Sequence, residues 1–175
     1  MAESKKELWL EELANFIVEA NKNTWAGEGG EVPARFRDGT SLYYRKGEWE
    51  LEDDYTGYFS APGMTRVLYK GRSVWTMAYF GAGQLGGEEH LVKDTFQFLK
   101  RALMRVTPEM PFRGPGIYNE DNWRYNFRLL RGAIVDFIGR EAIYHNQSLV
   151  FTQTVGGGIV RHKDEKGEVI APWAL

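Results

Sequence analysis

One carboxylate stands where the pattern of its segment predicts an apolar side chain. Residues 42–55 alternate, with Trp49, Leu51 and Tyr55 on one side and acidic residues on the other. Asp53 falls on the apolar side. If that side faces a core, burial raises the pKa of the carboxyl group, which can then act as a general base or anchor a ligand. Alternatively, a β-bulge near Asp53 shifts the register and turns the carboxylate outward.

An arginine in a proline-bounded loop is the second candidate. Arg113 lies in the segment Pro111-Phe112-Arg113-Gly114-Pro115, where the two prolines restrict the backbone. A guanidinium held in such a loop can bind a carboxylate or phosphate through two parallel hydrogen bonds. Its expected partner is either an anionic ligand or a carboxylate of the protein, such as Asp53 or Glu19.

A glycine-rich segment has the spacing of a nucleotide-binding loop but not its context. Gly81-Ala82-Gly83-Gln84-Leu85-Gly86 matches G-x-G-x-x-G, yet that motif requires a buried parallel strand and a βαβ crossover. The preceding strand alternates as in an antiparallel meander, so we interpret the segment as the exit of a hairpin and expect no cofactor. With no cysteine and three scattered histidines, neither a metal site nor a catalytic residue is predicted.

The charge of the chain argues against nucleic acid as a direct partner. The sequence has 22 basic and 24 acidic residues, which gives a net charge of −2 rather than a basic excess. Residues 123–128 interleave aromatic and basic side chains as single-strand binders do, but alternation places the two kinds on opposite faces of a strand. No signal region or membrane-spanning run is found, so we expect a cytoplasmic protein without membrane contact.

Two segments have the spacing of amphipathic helices, and the others alternate like strands. The helices are predicted at residues 7–23 and 89–106, the first with a capping box formed by Ser4 and Glu7. Period-two segments separated by turn residues predict antiparallel hairpins. They are residues 42–55 (two strands around Lys46-Gly47), 66–69, 74–80, 123–129, 133–138 after a turn at Arg131-Gly132, 141–144, 149–155 and 168–171.

The order of these elements repeats. Residues 67–83 laid over 142–158, an offset of 75, are identical at four positions, which suggests a duplication with units at about 7–83 and 89–160. The alternative is two unrelated hairpins with similar turns. We predict one α+β domain over residues 1–175, with an antiparallel sheet or pair of sheets of about eight strands, two helices on one face and a tail from residue 161.

Four motifs resemble an uncharacterised bacterial and archaeal domain family of unknown function. They lie in order along the chain between about residues 10 and 160. The motifs are Phe16-Ile17-Val18-Glu19-Ala20-Asn21-Lys22-Asn23-Thr24-Trp25-Ala26-Gly27, Tyr69-Lys70-Gly71-Arg72-Ser73-Val74-Trp75-Thr76-Met77-Ala78-Tyr79-Phe80-Gly81, Pro111-Phe112-Arg113-Gly114-Pro115 and Phe137-Ile138-Gly139-Arg140-Glu141-Ala142-Ile143-Tyr144. In that family the domain sometimes follows a Cro/repressor-type helix-turn-helix. The resemblance implies domain boundaries but no activity.

Duplicated α+β units often leave a cleft between the copies. We expect such a cleft to bind a small anionic or aromatic-stacking ligand without catalysis. A protein-interaction or homodimerisation module, and an enzyme acting on a small substrate, remain the alternatives. The predicted ligand-binding residues are Trp25, Asp53, Tyr55, Trp75, Tyr79 and Arg113.

Overall fold

The structure is a computed structural model that describes residues 4–27, 29–83 and 89–175. Gln84, Leu85 and Gly86 of the glycine-rich pattern therefore lie outside the described residues. The two helices are α1 (Lys5–Asn23) and α2 (Val92–Leu103). The strands are β1 (Glu31–Val32), β2 (Gly39–Lys46), β3 (Trp49–Thr56), β4 (Gly63–Tyr69), β5 (Arg72–Gly83), β6 (Ile117–Glu120), β7 (Trp123–Ala133), β8 (Asp136–His145), β9 (Ser148–Ile159), β10 (His162–Lys163) and β11 (Val169–Ile170).

Nine of these strands form one antiparallel sheet in the order β1-β2-β3-β4-β5-β9-β8-β7-β6. The remaining two, β10 and β11, pair with each other. The prediction of an α+β fold with a large antiparallel sheet is confirmed, with nine strands instead of about eight. The edge strands β1 and β6 were missed because two and four residues are too few to show alternation. None of the helices in the described ranges has the length and apolar character needed to cross a bilayer.

Helix α1 begins at its predicted capping box. The Ser4 amide donates to Glu7 Oε2 at 2.8 Å, and the Glu7 amide donates to the Ser4 hydroxyl at 3.3 Å. Two amide groups without helical partners are satisfied in this way. On the buried side of the helix, Phe16 stacks on Trp49 of β3 with ring centroids 5.5 Å apart. This contact fixes α1 against the first half of the sheet.

The predicted turn at Arg131-Gly132 is wrong. Strand β7 continues to Ala133, the chain turns at residues 134–135, and β8 then runs unbroken from Asp136 to His145. Gly132 has a positive φ of 81° and pairs with Phe137 inside the strand, while the register of β7 with β8 shifts between Leu129 and Arg131. The bulge is therefore at Leu130, and the glycine lies within the paired strand rather than in a hairpin turn.

The hairpins β4–β5 and β8–β9 can be compared turn for turn. Their turns, Lys70-Gly71 and Asn146-Gln147, both have two residues with positive φ. Each hairpin also has a bulge next to its turn, which leaves Val74 or Val150 without an opposite residue. The turns and the bulges correspond at an offset of 76 residues, the separation of Lys70 from Asn146 and of Val74 from Val150. The sequence comparison used an offset of 75, one residue less than the offset at which the turns and bulges correspond.

Candidate functional site

A cavity of about 530 Å³ opens between the sheet, the end of α1 and the side of α2. Strands β3, β5 and β9 supply its floor, since inward-facing residues of all three line it. Its apolar and aromatic lining consists of Trp25, Leu42, Tyr55, Tyr58, Ala61, Phe96, Leu99, Leu103 and Phe151. A volume of this size and a mainly apolar wall are typical of small-molecule pockets.

Five of the six predicted ligand-binding residues line this cavity. Trp25, Asp53, Tyr55, Tyr79 and Arg113 come from α1's end, two strands and a loop, and meet at its wall.

Trp75 does not line the cavity, so its placement among the site residues is corrected. It lies on the same face of β5 as Tyr79, but four residues away, about 13 Å along an extended strand. Its ring is fully buried, stacks on Phe137 at 5.8 Å and donates from Nε1 to the carbonyl oxygen of Ile134 at 2.9 Å. Trp75 is thus a core residue of a central strand.

Asp53 points inward, as the first of the two alternatives predicted. The pairing of β3 with β2 and with β4 runs without a register break past this residue. Asp53 is only 1% exposed, with Oδ1 accepting from the Thr65 hydroxyl at 2.6 Å and Oδ2 from the Tyr79 hydroxyl at 2.8 Å. Burial raises the pKa of Asp53, and the two hydrogen bonds and the nearby Arg113 oppose this rise only in part.

Tyr79 is held over a glycine on the neighbouring strand. Gly63 of β4 pairs directly with Tyr79, and a side chain at Gly63 would place its Cβ 2.4 Å from the Tyr79 hydroxyl oxygen. The absence of a side chain at Gly63 therefore lets the phenol reach Asp53. Burial and the adjacent Asp53 carboxylate raise the pKa of Tyr79, so this phenol remains a hydrogen-bond donor at neutral pH.

Arg113 is paired with Glu141 on strand β8, not with Asp53 or Glu19 as predicted. Its Nε and Nη2 donate to Oε1 and Oε2 of Glu141, each at 3.3 Å, in a bidentate arrangement. The guanidinium also lies over the ring of Trp25, 4.0 Å from the centroid. Glu19 instead accepts hydrogen bonds from Tyr44 and Lys46 near the surface.

Glu141 is the main functional candidate that the sequence reasoning missed. It is fully buried and accepts two further hydrogen bonds, from the Tyr125 hydroxyl at 2.7 Å and from Gln153 Nε2 at 2.5 Å. The Tyr125 hydroxyl in turn accepts from the Gly114 amide at 3.1 Å and so fixes the loop next to Arg113. The alternation of β8 could have identified it, because Glu141 lies on the inward face of this strand with Phe137 and Ile143.

The comparison with known families matches residues 53–160 to DUF5680, a domain of unknown function. The chain belongs to this family. The prediction of an uncharacterised family is thereby confirmed. No curated protein and no solved structure matches the chain.

The DUF5680 segment contains the hydrogen-bonded groups around Asp53 and Arg113. Asp53, Tyr79, Arg113, Glu141 and Gln153 all fall within it, whereas α1 and Trp25 precede it. The hydrogen-bonded floor of the cavity is thus encoded by the DUF5680 domain itself, and its α1 wall by the preceding residues.

The two buried charged residues that line the cavity, Asp53 and Arg113, differ in whether an oppositely charged group binds them. Arg113 has an anionic partner in Glu141, while the hydrogen bonds that Asp53 accepts from described residues come from neutral hydroxyl groups. Within the described ranges, no group of three or more His, Cys, Asp or Glu is placed to hold a metal ion. The arrangement can therefore orient a ligand through hydrogen bonds, stacking and charge.

Proposed function

We propose that the chain is a small-molecule binding or sensing module that binds its ligand in the cavity beside Asp53 without catalysing a reaction. The observation that carries this proposal is a buried carboxylate, oriented by two hydroxyl groups, in the wall of an aromatic-lined cavity of about 530 Å³. Buried polar groups of this kind fix the orientation of a ligand, and aromatic walls supply most of the contact area.

Of the two kinds of ligand predicted, anionic and aromatic-stacking, this geometry supports the aromatic-stacking one. Trp25, Tyr55 and Phe96 present ring surface to the cavity. An anionic group at Arg113, by contrast, would bring a second negative charge to a guanidinium that Glu141 already neutralises. A ligand with a flat or apolar body therefore fits better than a small inorganic anion.

Binding without chemistry is favoured by the state of the one titratable pair described above at the cavity wall. Tyr79 donates to Asp53, and its raised pKa keeps the phenol protonated, so the pair contains no second group that takes up or supplies a proton at neutral pH. An enzyme in which Asp53 acts as a general base remains the alternative. It would require the substrate to bring its proton to a lone pair of Asp53 that the two hydroxyl groups leave free.

Filling the cavity tests the proposal. We expect isothermal titration calorimetry of the wild type with 2-phenylethanol and with indole to detect binding. Ala61 lines the cavity, so Ala61→Trp should weaken that binding at least tenfold. Ala78→Trp, on the outward face of β5, is the matched control and should bind like the wild type. Equal binding by Ala61→Trp and the wild type, or no binding of any aromatic fragment, would contradict the proposal.

The outward face of the sheet supports a second candidate, self-association. Met64, Ala78, Gly156 and Ile138 are successive register partners across β4, β5, β9 and β8, and form an apolar row on that face. Phe80 beside this row is 61% exposed. An apolar area of this kind at the centre of a sheet is typical of an interface.

The charges around this row fit a second copy of the chain. Strand β3 presents Glu50, Glu52 and Asp54 outward, and strands β7 and β8 on the other side of the sheet centre present Arg124, Arg128 and Arg140. A two-fold axis parallel to the strands would place the acidic side of one copy over the basic side of the other. Light scattering coupled to gel filtration should then find a dimer that Phe80→Glu dissociates. A monomeric wild type would exclude this function.

We also propose that the units at residues 7–83 and 89–160 are copies related by a two-fold axis, with α1 and α2 on one face of the sheet. The pairing of β5 with β9 supports this, because Tyr79 lies opposite Val155, its counterpart at an offset of 76. The helices support it as well. Phe16 of α1 stacks on Trp49, and Phe98 of α2 stacks on Trp123 at 5.4 Å, in corresponding hairpins. Helices on opposite faces in a crystal structure would refute the duplication.

A further inference from the structure

No cationic group in the described ranges forms a hydrogen bond or ion pair with Asp53. Among the residues that the structure describes, its hydrogen bonds come only from Thr65 and Tyr79, both uncharged donors. A carboxylate that is 1% exposed has lost nearly all of its hydration, and hydroxyl groups replace that hydration only in part. A positive charge at hydrogen-bond distance would therefore stabilise this group more than any further neutral donor.

Arg113 is not available for this role. Its Nε and Nη2 are bound to Glu141, and no hydrogen bond or ion pair joins it to Asp53 in the described part of the chain. The buried charges at this end of the cavity are Asp53, Glu141 and Arg113, two negative and one positive. The wall therefore has one uncompensated negative charge when Asp53 is ionised.

The aromatic residues beside Asp53 suit the same kind of group. Tyr55 follows Asp53 by two residues on the inward face of β3, and both line the cavity. The face of an aromatic ring attracts cations, and a carboxylate flanked by rings is a common environment for an organic ammonium group. The ring of Trp25 already contacts one cation, Arg113.

The lysines that line the cavity do not compensate the negative charge of Asp53. Lys93 and Lys100 are on the helix side, where Lys93 is exposed and Lys100 is half-buried. Charges in contact with solvent are screened by salt and water, whereas the charge of Asp53 is not. Glu31, which is also exposed, lines the same cavity with the opposite sign.

We infer that the ligand is an organic cation, a protonated amine or amidine on an aromatic or apolar body, with its charged nitrogen bound to Asp53. This inference rests on the proposed function and specifies its ligand class. The raised pKa of Asp53 is consistent with it, since a carboxyl group that is costly to ionise in the empty cavity is stabilised as an anion by a bound cation.

Three probes of similar shape test the charge of the ligand. They are 2-phenylethylamine, 2-phenylethanol and 3-phenylpropionate, titrated into the wild type at pH 7 in a calorimeter. We expect the amine to bind at least tenfold more tightly than the carboxylate. Asp53→Asn should remove this preference and leave the binding of the alcohol within twofold. Asp54→Asn, which removes the neighbouring carboxylate on the outward face, is the matched control and should keep the preference.

The pH dependence of the wild type provides a test that needs no variant. The amine probe stays protonated between pH 5 and 8, so its affinity should rise as Asp53 ionises, while the affinity of the alcohol stays constant. The groups that act on Asp53 are Thr65, Tyr79, Arg113 and Asp54, with Tyr55 acting on Tyr79. None of them has an ordinary pKa in this pH range, so the change reports Asp53.

The outcomes separate the inference from the proposed function. If the alcohol binds but the carboxylate binds as tightly as the amine, or if Asp53→Asn keeps the preference, the inference is wrong and the cavity remains a binding site. An amine affinity that falls as the pH rises from 5 to 8 would also overturn it. If none of the three probes binds, both the inference and the proposed function fail.

Discussion

Arg113 and Glu141, 28 residues apart in sequence, form a bidentate ion pair beside the cavity, with both N–O distances at 3.3 Å. Arg113 is 5% exposed and Glu141 is fully buried. A pair this deeply buried is costly to break, because removal of one member leaves the other charged and unpaired. The pair therefore holds the loop at Arg113 against strand β8 and, with it, one wall of the cavity.

Arg113→Ala should lower the free energy of unfolding by about 3–5 kcal/mol, the usual effect of breaking a buried ion pair. Arg113→Lys should also destabilise, because an ammonium group cannot reproduce two parallel hydrogen bonds. Urea unfolding measures both. Arg128→Ala removes an exposed arginine and should change the stability by less than about 0.5 kcal/mol. If Arg113→Ala unfolds like this control, the ion pair has no structural role.

Asp53→Asn should change how stability depends on pH. Since the pKa of Asp53 is raised by folding, the folded protein binds this proton more tightly than the unfolded chain. Ionisation of Asp53 therefore lowers the stability of the wild type as pH rises from its ordinary pKa through the raised one, and this loss is then complete. The variant has no such loss, so its stability relative to the wild type should increase across that range.

Urea unfolding between pH 4 and pH 8 checks this difference. Asp54→Asn is the control, because the Asp54 carboxylate faces outward and forms an ion pair with Arg35 at 2.7 Å. It should keep the pH-dependent loss of the wild type. Parallel curves for Asp53→Asn and the wild type would show that folding does not perturb the ionisation of Asp53.

Gly63→Ala should weaken both folding and ligand binding, because it displaces Tyr79. The new methyl group would lie 2.4 Å from the Tyr79 hydroxyl oxygen and 2.7 Å from the carbonyl oxygen of Asp54, so the phenol must move away from Asp53. We expect a loss of about 1–3 kcal/mol in unfolding free energy, as for other overpacked sites, and at least tenfold weaker binding of the amine probe. Gly116→Ala meets no atom within 4 Å and should be neutral. Unchanged binding by Gly63→Ala would mean that Tyr79 does not position Asp53.

Trp75→Ala should cost about 3–5 kcal/mol, because it empties a fully buried site and leaves the Ile134 carbonyl without its hydrogen bond. Chemical denaturation measures this loss, and Phe80→Ala, which truncates a 61% exposed ring on the same strand, is the comparison. A loss below about 1 kcal/mol for Trp75→Ala would show that the ring does not support the core.

The sequence alone predicted that Asp53 faces inward, unless a β-bulge turned it outward. Alternation is a local property, so residues 49–55 were enough to place Asp53 on the apolar face of a strand. Only pairing with two neighbouring strands excluded a bulge there. The same limit applied at Gly132, where a glycine with positive φ inside a paired strand was mistaken for a turn, because turns also favour such a glycine.

Local sequence also identified Arg113 as a rigidly held cation, but not its partner. Each proline restricts its own backbone, so the rigidity of the loop can be recognised from residues 111–115 alone. The contact with Glu141 depends instead on how the loop packs against β8. This packing brings together two segments that are distant in sequence, and a local sequence pattern cannot predict it. For the same reason, the cavity and the exclusion of Trp75 from it were decided by tertiary structure. A strand pattern tells which face a side chain occupies, whereas the position of the helices over that face determines where space remains.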